Sequence, residues 1–237
     1  MDGSDGHGDV ARFFPGAAEA RCDGSGGWAT VVHPENGPAW ARCPLCAGDK
    51  AIAAADEVIP PRFRVPVTIP AAVEAWASCG RDAQGLYLTG PVGTGKTHAA
   101  WMAVRKWCAA TGVIARGIPQ EARGGAVSGP AVIFTRMTDL LDDLRPGDGA
   151  RARVRDCQRA ALLVIDDLGA EKASEWTQER LYSVIDHRYA ACLPLVVTSN
   201  LPPANVGEQA GDRTASRLAE MCTVVPMTGT DRRRPPS

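Results

Sequence analysis

No apolar run in this 237-residue chain approaches the length needed to cross a bilayer, which argues against a membrane-spanning helix. The first residues, Met1-Asp2-Gly3-Ser4-Asp5-Gly6, are acidic and polar where a secretory signal would be basic and then apolar, so the protein is read as cytoplasmic, with no membrane partner. Net charge is also scarce, at −1. That value hides a division: residues 1–60 carry four basic and nine acidic side chains, leaving 22 basic and 18 acidic for the rest. So small a basic surplus does not by itself define a nucleic-acid surface. A disulfide framework is absent too. Cys79, Cys108, Cys157, Cys192 and Cys222 stand singly inside apolar segments, where a free thiol behaves as a small hydrophobe, and only Cys22, Cys43 and Cys46 look organised. No internal repeat is visible.

What is present is ordinary globular material: 45% apolar and 22% charged residues, with 25 glycines and 18 prolines to make turns. A chain of this length buries one substantial core with a small accessory unit. Residues 1–57 form that unit; they are acidic, expected to be loop-rich because no helical or strand periodicity shows to about residue 50, and need a staple. Residues 58–70 are a proline-dense connector that stops any helix running through Ala51 to Glu57, and residues 71–237 are the main domain. Within it, helices are expected over 71–78, 96–110, 174–191 and 212–222, with Thr138 capping another through Leu144. Strands are expected at Leu86–Leu88, 131–135, 161–165, 195–198 and 223–227, and the glycine-rich stretch 116–130 as a surface loop. Strands alternating with helices give an α/β fold with a parallel sheet covered on both faces.

Gly90-Pro91-Val92-Gly93-Thr94-Gly95-Lys96-Thr97 follows the first strand and opens a helix, the setting of a phosphate-binding P-loop. The glycines let backbone N–H groups wrap a polyphosphate, Lys96 supplies charge to the β/γ-phosphates, and the Thr97 hydroxyl can ligate Mg²⁺. About seventy residues on, a wholly apolar strand ends in Asp166-Asp167, which places two carboxylates at the carboxyl edge of the sheet. Asp166 suits Mg²⁺, and Asp167 suits orientation or deprotonation of an attacking water. The fourth strand runs into Thr198-Ser199-Asn200, where Asn200 either bonds the water or γ-phosphate or simply makes a turn. Arg213 and Arg217, four apart, share one helix face that suits either a phosphate or solvent. Because this helix follows the core strands, Arg217 is better placed for a neighbouring subunit's nucleotide.

These elements in this order, with Ile59-Pro60-Pro61-Arg62-Phe63 ahead of the core, Ile165-Asp166-Asp167-Leu168-Gly169 and Thr198-Ser199-Asn200-Leu201, resemble the initiator and helicase-loader branch of AAA+ ATPases, specifically the DnaC-type loaders and IstB-type transposition ATPases. The resemblance implies a P-loop AAA+ core with a five-stranded parallel sheet. It further implies ATP and Mg²⁺, Asp166 and Asp167 as the Walker B pair, Asn200 as sensor 1, Arg217 as a finger acting in trans and Arg213 as its helper. The chain stops soon after the fifth strand, leaving little or no helical lid; Arg233 aligns loosely with a terminal arginine of these loaders, or belongs to a basic tail. Cys22, Cys43 and Cys46 resemble the loaders' zinc-binding amino-terminal region, with His33, Glu19 or another group as fourth ligand, His33 being favoured. Arg145, Arg151, Arg153, Arg155 and Arg159 form the densest basic stretch, a nucleic-acid contact or a solvated face.

The function expected from this reading is a Mg²⁺-ATP-dependent helicase loader in DNA replication. It would self-associate through the Arg217 face and act with a replicative helicase on DNA, single-stranded by preference. The rivals are an IstB-like regulator that coats duplex DNA and delivers a transposase, and an adaptor that uses nucleotide as a switch and hardly hydrolyses it.

Overall fold

A computed structural model describes residues 8–24, 27–115, 132–147 and 149–229. Four strands come first: β1 (Gly8–Asp9), β2 (Glu19–Cys22), β3 (Trp28–His33) and β4 (Gly37–Arg42) pair antiparallel in chain order. The sequence shows no period here because β1 has only two residues and β4 buries none of its side chains. Alternation survives only where Ala20, Cys22, Ala29 and Val31 turn inward on Cys43 and Cys46.

Helix α1 (Pro44–Val58) begins inside the Cys43–Cys46 turn, with Pro44 at the first helical position, where its missing N–H costs nothing. Its buried face, Ala51 and Ala55, joins the same core cluster as α3 (Lys96–Thr111), the helix that leaves the P-loop. Gly48 makes the approach possible, since a Cβ there would lie 2.7 Å from the Ala109 carbonyl oxygen. A two-pronged ion pair fixes the register: Arg105 Nε and Nη2 donate to the Asp56 carboxylate at 2.6 and 3.0 Å.

Between these helices come α2 (Ala71–Ser78) and β5 (Gly85–Thr89). After α3 follow β6 (Val132–Arg136), α4 (Met137–Asp143), α5 (Ala150–Arg159), β7 (Leu162–Leu168), α6 (Glu175–Ala190), β8 (Leu195–Ser199), α7 (Gly207–Ala210), α8 (Asp212–Met221) and β9 (Cys222–Pro226). Strands β5 to β9 form the expected five-stranded parallel sheet, in the order β6-β7-β8-β5-β9. Its central strands β5, β7 and β8 are apolar over most of their length because they are buried on both faces, and they turn polar only at their carboxyl ends, at Thr89, Asp166-Asp167 and Thr198-Ser199. Ser174 caps α6, its hydroxyl accepting from the Thr177 N–H. Thr138 does not cap α4; it lies within the helix, whose cap position is Arg136.

Helix α5 is hidden in the sequence because four arginines in ten residues obscure its buried Ala150, Val154 and Cys157, spaced by four and three. It is tied down by Arg188, which is fully buried. Nη1 donates to the Cys157 and Ala160 carbonyls at 2.9 Å each, and Nη2 to the Pro194 carbonyl, so the cation meets the negative end of α5. Burial pulls this guanidinium down to about 10. The stretch 116–130, Asp148 and Arg233 lie outside the described residues. No helix among the described residues is long and apolar enough to cross a membrane.

Candidate functional site

Sheet order decides what meets what. Because β8 lies between β5 and β7, the residue after β8 emerges between the P-loop that follows β5 and the carboxylates that end β7. The loop turns through Gly93 (φ 86°) and Gly95 (φ 89°), left-handed conformations open to glycine. Lys96 then opens α3 and is nearly buried. Its Nζ donates to the carbonyls of Gly90 (2.7 Å) and Pro91 (2.8 Å) and to Asn200 Oδ1 (2.7 Å). Thr94 Oγ1 closes the loop on the Pro91 carbonyl at 2.9 Å.

Thr97 Oγ1 donates to Asp166 at 3.0 Å, and Thr198 Oγ1 donates to the same carboxylate at 2.6 Å. Burial raises the Asp166 carboxyl above its ordinary range, partly offset by those two hydroxyls. A cation at this point would offset the cost of keeping it ionised. Thr198 also accepts from the Asp167 N–H at 2.9 Å, so one hydroxyl organises both acids. Sequence motifs alone assign Thr198 no role, although a hydroxyl at the buried end of an apolar strand is a signal for one.

Asp167 adopts φ 65°, one of two described non-glycine residues in the left-handed region, and the pairing of β7 with β8 shifts register between Ile165 and Leu168. A bulge of this kind re-aims a side chain. Here Asp166 is buried while Asp167, next in the chain, is exposed to solvent. Ser199 holds the shifted segment by donating to the Leu168 carbonyl at 2.6 Å, and Tyr87 donates to the Leu201 carbonyl at 2.9 Å.

The structure thus brings together Lys96, Thr97, Asp166 and Asn200. Arg213 and Arg217 stand apart from them on α8: Arg217 bonds Asp186 and Glu220 and stacks on Tyr189, and Arg213 stacks on Tyr182.

The Cys22, Cys43 and Cys46 sulfurs lie within 4.8 Å of one another, and Cys22 and Cys46 are 3.4 Å apart. Ligands on a tetrahedral ion with Zn–S of about 2.3 Å stand about 3.8 Å apart, so the trio fits such an ion. Cys46 is pushed up to about 12 by burial and its neighbouring thiols. Burial also acts upward on Cys43, but hydrogen bonds from the Cys46 and Leu45 backbone and the Cys22 thiol outweigh it and hold Cys43 below the usual thiol value. His33 is not brought to this cluster: it pairs with Gly37 at the turn of the β3–β4 hairpin, whereas the Trp28–Arg42 pair marks the end beside Cys43. Glu19 pairs with Val32, also toward the turn.

Residues 70–235 match the family of IstB-like ATP binding proteins. The chain belongs to that family. Among its relatives is an ATP-binding protein in an insertion sequence of Mycobacterium tuberculosis, 31% identical over 133 residues that cover 55% of this chain and 45% of the relative. The chain therefore spans less than half the length of that relative. The crystal structure of the DnaC helicase loader superposes with a TM-score of 0.53 at 20% identity, covering 66% of this chain and 86% of the loader. DnaI superposes with the same score at 19% identity, covering 75% and 98%. These two likenesses establish the AAA+ fold that the sequence implied, and family membership supports ATP binding at the P-loop.

Proposed function

We propose that this IstB-like protein is a Mg²⁺-dependent ATPase that assembles on duplex DNA as a transposition regulator and delivers a transposase. The observation that carries this reading is the insertion-sequence relative, which is more similar in sequence than the loaders are. It reverses the order in which the sequence alone placed the two functions. The loader reading, with a replicative helicase as partner and single-stranded DNA as substrate, stays second, favoured by the thiol cluster and by the DnaC and DnaI folds.

In the nucleotide site, Lys96 exchanges its carbonyl and amide partners for β/γ-phosphate oxygens, while the backbone around Gly93 and Gly95 wraps the polyphosphate. Thr97 and Asp166 hold Mg²⁺, whose contribution when bound is to neutralise phosphate charge. Asp167 takes a proton from the attacking water, and Asn200, released by Lys96, orients that water or the γ-phosphate. Arg217 reaches the nucleotide of an adjacent subunit and stabilises charge there, assisted by Arg213.

DNA binding falls to α5. Arg151, Arg155 and Arg159 are exposed at fourfold spacing on one face, with no ion-pair partner among the described residues, whereas Arg153 is tied to Asp143 and Arg145 to Asp142. Fluorescence anisotropy on labelled duplex and single-stranded DNA, with ATP, with ADP and without nucleotide, tests the function. ATP-dependent cooperative coating of duplex is expected, and replacing the three arginines by alanine should flatten the salt slope by about 0.9 for each phosphate they neutralise. Preference for single strands would favour the loader, and absence of binding the nucleotide-switched adaptor.

We assign Cys22, Cys43 and Cys46 to a structural zinc ion, which their three thiolates would hold and which would staple the small amino-terminal sheet. Metal analysis of protein purified without chelator should give one zinc per chain, and Cys43→Ser should lose most of it. Zinc-free wild-type protein would overturn the assignment.

A further inference from the structure

Two helix faces interlock beside the arginines. On α6, Tyr182, Asp186 and Tyr189 are spaced by four and three; on α8, Arg213, Arg217 and Glu220 repeat that spacing. Arg213 lies 3.9 Å over the Tyr182 ring and Arg217 4.4 Å over the Tyr189 ring. Arg217 Nε donates to Asp186 Oδ1 at 3.0 Å, and the Tyr182 hydroxyl donates to that same oxygen at 3.0 Å. Glu220 completes the network, accepting from Tyr189 through one oxygen and from Arg217 at 3.5 Å through the other.

A lone arginine on a helix surface samples many rotamers, and a group that must reach a neighbour's phosphate loses rate with each unproductive one. Arg217 is instead seated over an aromatic ring and held by its Nε, with its side chain one-third exposed, at 34%. The contacts through Nε to Asp186 and Nη1 to Glu220 restrain the guanidinium without burying it. A surface ion pair of this exposure is weak, so it biases orientation and does not hold the cation against a phosphate.

We propose that Asp186 is a positioning residue for Arg217, presetting the guanidinium for the nucleotide of the adjacent subunit; this rests on the reading that Arg217 acts in trans. Tyr182 serves Asp186 in turn, since its hydroxyl and the Arg217 guanidinium hold the Asp186 carboxyl ionised, below its ordinary range.

The test uses the full chain under conditions where wild type assembles. Asp186→Ala should lower kcat for ATP by roughly 10- to 100-fold, with KM and nucleotide affinity within about twofold of wild type. Asp186→Asn, which keeps an oxygen for Nε and for Tyr182, should recover part of the loss, and melting temperatures of both should match wild type. Mixing supplies the readout that a merely structural role would not move. Lys96→Ala subunits, which keep Asp186 and Arg217, should restore turnover to Asp186→Ala subunits, whereas Lys96→Ala/Asp186→Ala double variants should not. Turnover at or above the wild-type rate in Asp186→Ala, or equal restoration by the double variant, overturns the proposal. If Arg217→Ala is itself not restored by Lys96→Ala subunits, the trans reading fails and takes this inference with it. If Arg217→Ala is restored and Asp186→Ala behaves as wild type, the Asp186 assignment alone fails.

Discussion

Lys96→Ala should weaken ATP binding by at least about 100-fold, equivalent to about 2.7 kcal/mol. The lysine is the charged donor buried at the mouth of α3, and a charge-assisted hydrogen bond contributes roughly 1.5–3 kcal/mol. Removing it leaves the Gly90 and Pro91 carbonyls and Asn200 Oδ1 without the donor that gathers them, so the loop loses shape as well as charge. Titration calorimetry with a non-hydrolysable ATP analogue measures the effect. An affinity within tenfold of wild type would mean that Lys96 serves the loop and not the phosphates.

Asp167→Asn should leave ATP affinity within a few-fold and lower turnover by roughly 10²- to 10⁴-fold, the range expected when a general base is lost. The substitution is a clean probe because of the backbone. Asp167 sits at φ 65°, where asparagine is accommodated as readily as aspartate, while alanine would add strain to the chemical change. Thr198 still receives the residue-167 N–H, so the bulge and the hydrogen bonds to Asp166 survive. Single-turnover hydrolysis with bound nucleotide quantified separately resolves the two effects. Turnover within tenfold of wild type would move the base role away from this residue.

What is legible in the sequence is what local pattern encodes. Five apolar strands, the P-loop, the two acids and the Ser174 cap all depend on neighbours a few residues away, and the structure has them where expected. What is not legible depends on pairing between distant segments. The β1–β4 sheet has too few inward side chains to show a period, and α5 hides its apolar stripe under arginine. The left-handed turn at Asp167 arises from a register shift against β8, and Thr198 matters only because β8 lies beside β7. His33 is a reasonable ligand by residue type, but hairpin register carries it to the opposite end of the strand from the thiols. Arg213 and Arg217 are legible as one helix face, while their partners on α6 are not, because nothing local links residues 182–189 to residues 213–220.

The seam between α1 and α3 bears on how the chain can be divided. A cut at residue 58 looks natural from the prolines, yet it would remove Ala51 and Ala55 from the main core and leave Arg105 without Asp56. It would also uncover the stretch of α3 around Ala109 on which Gly48 rests. The shortened chain would expose an oily strip along the helix that opens at Lys96, so its solubility and nucleotide affinity would be expected to decline together. The amino-terminal sheet and the nucleotide site are hung on one shared beam.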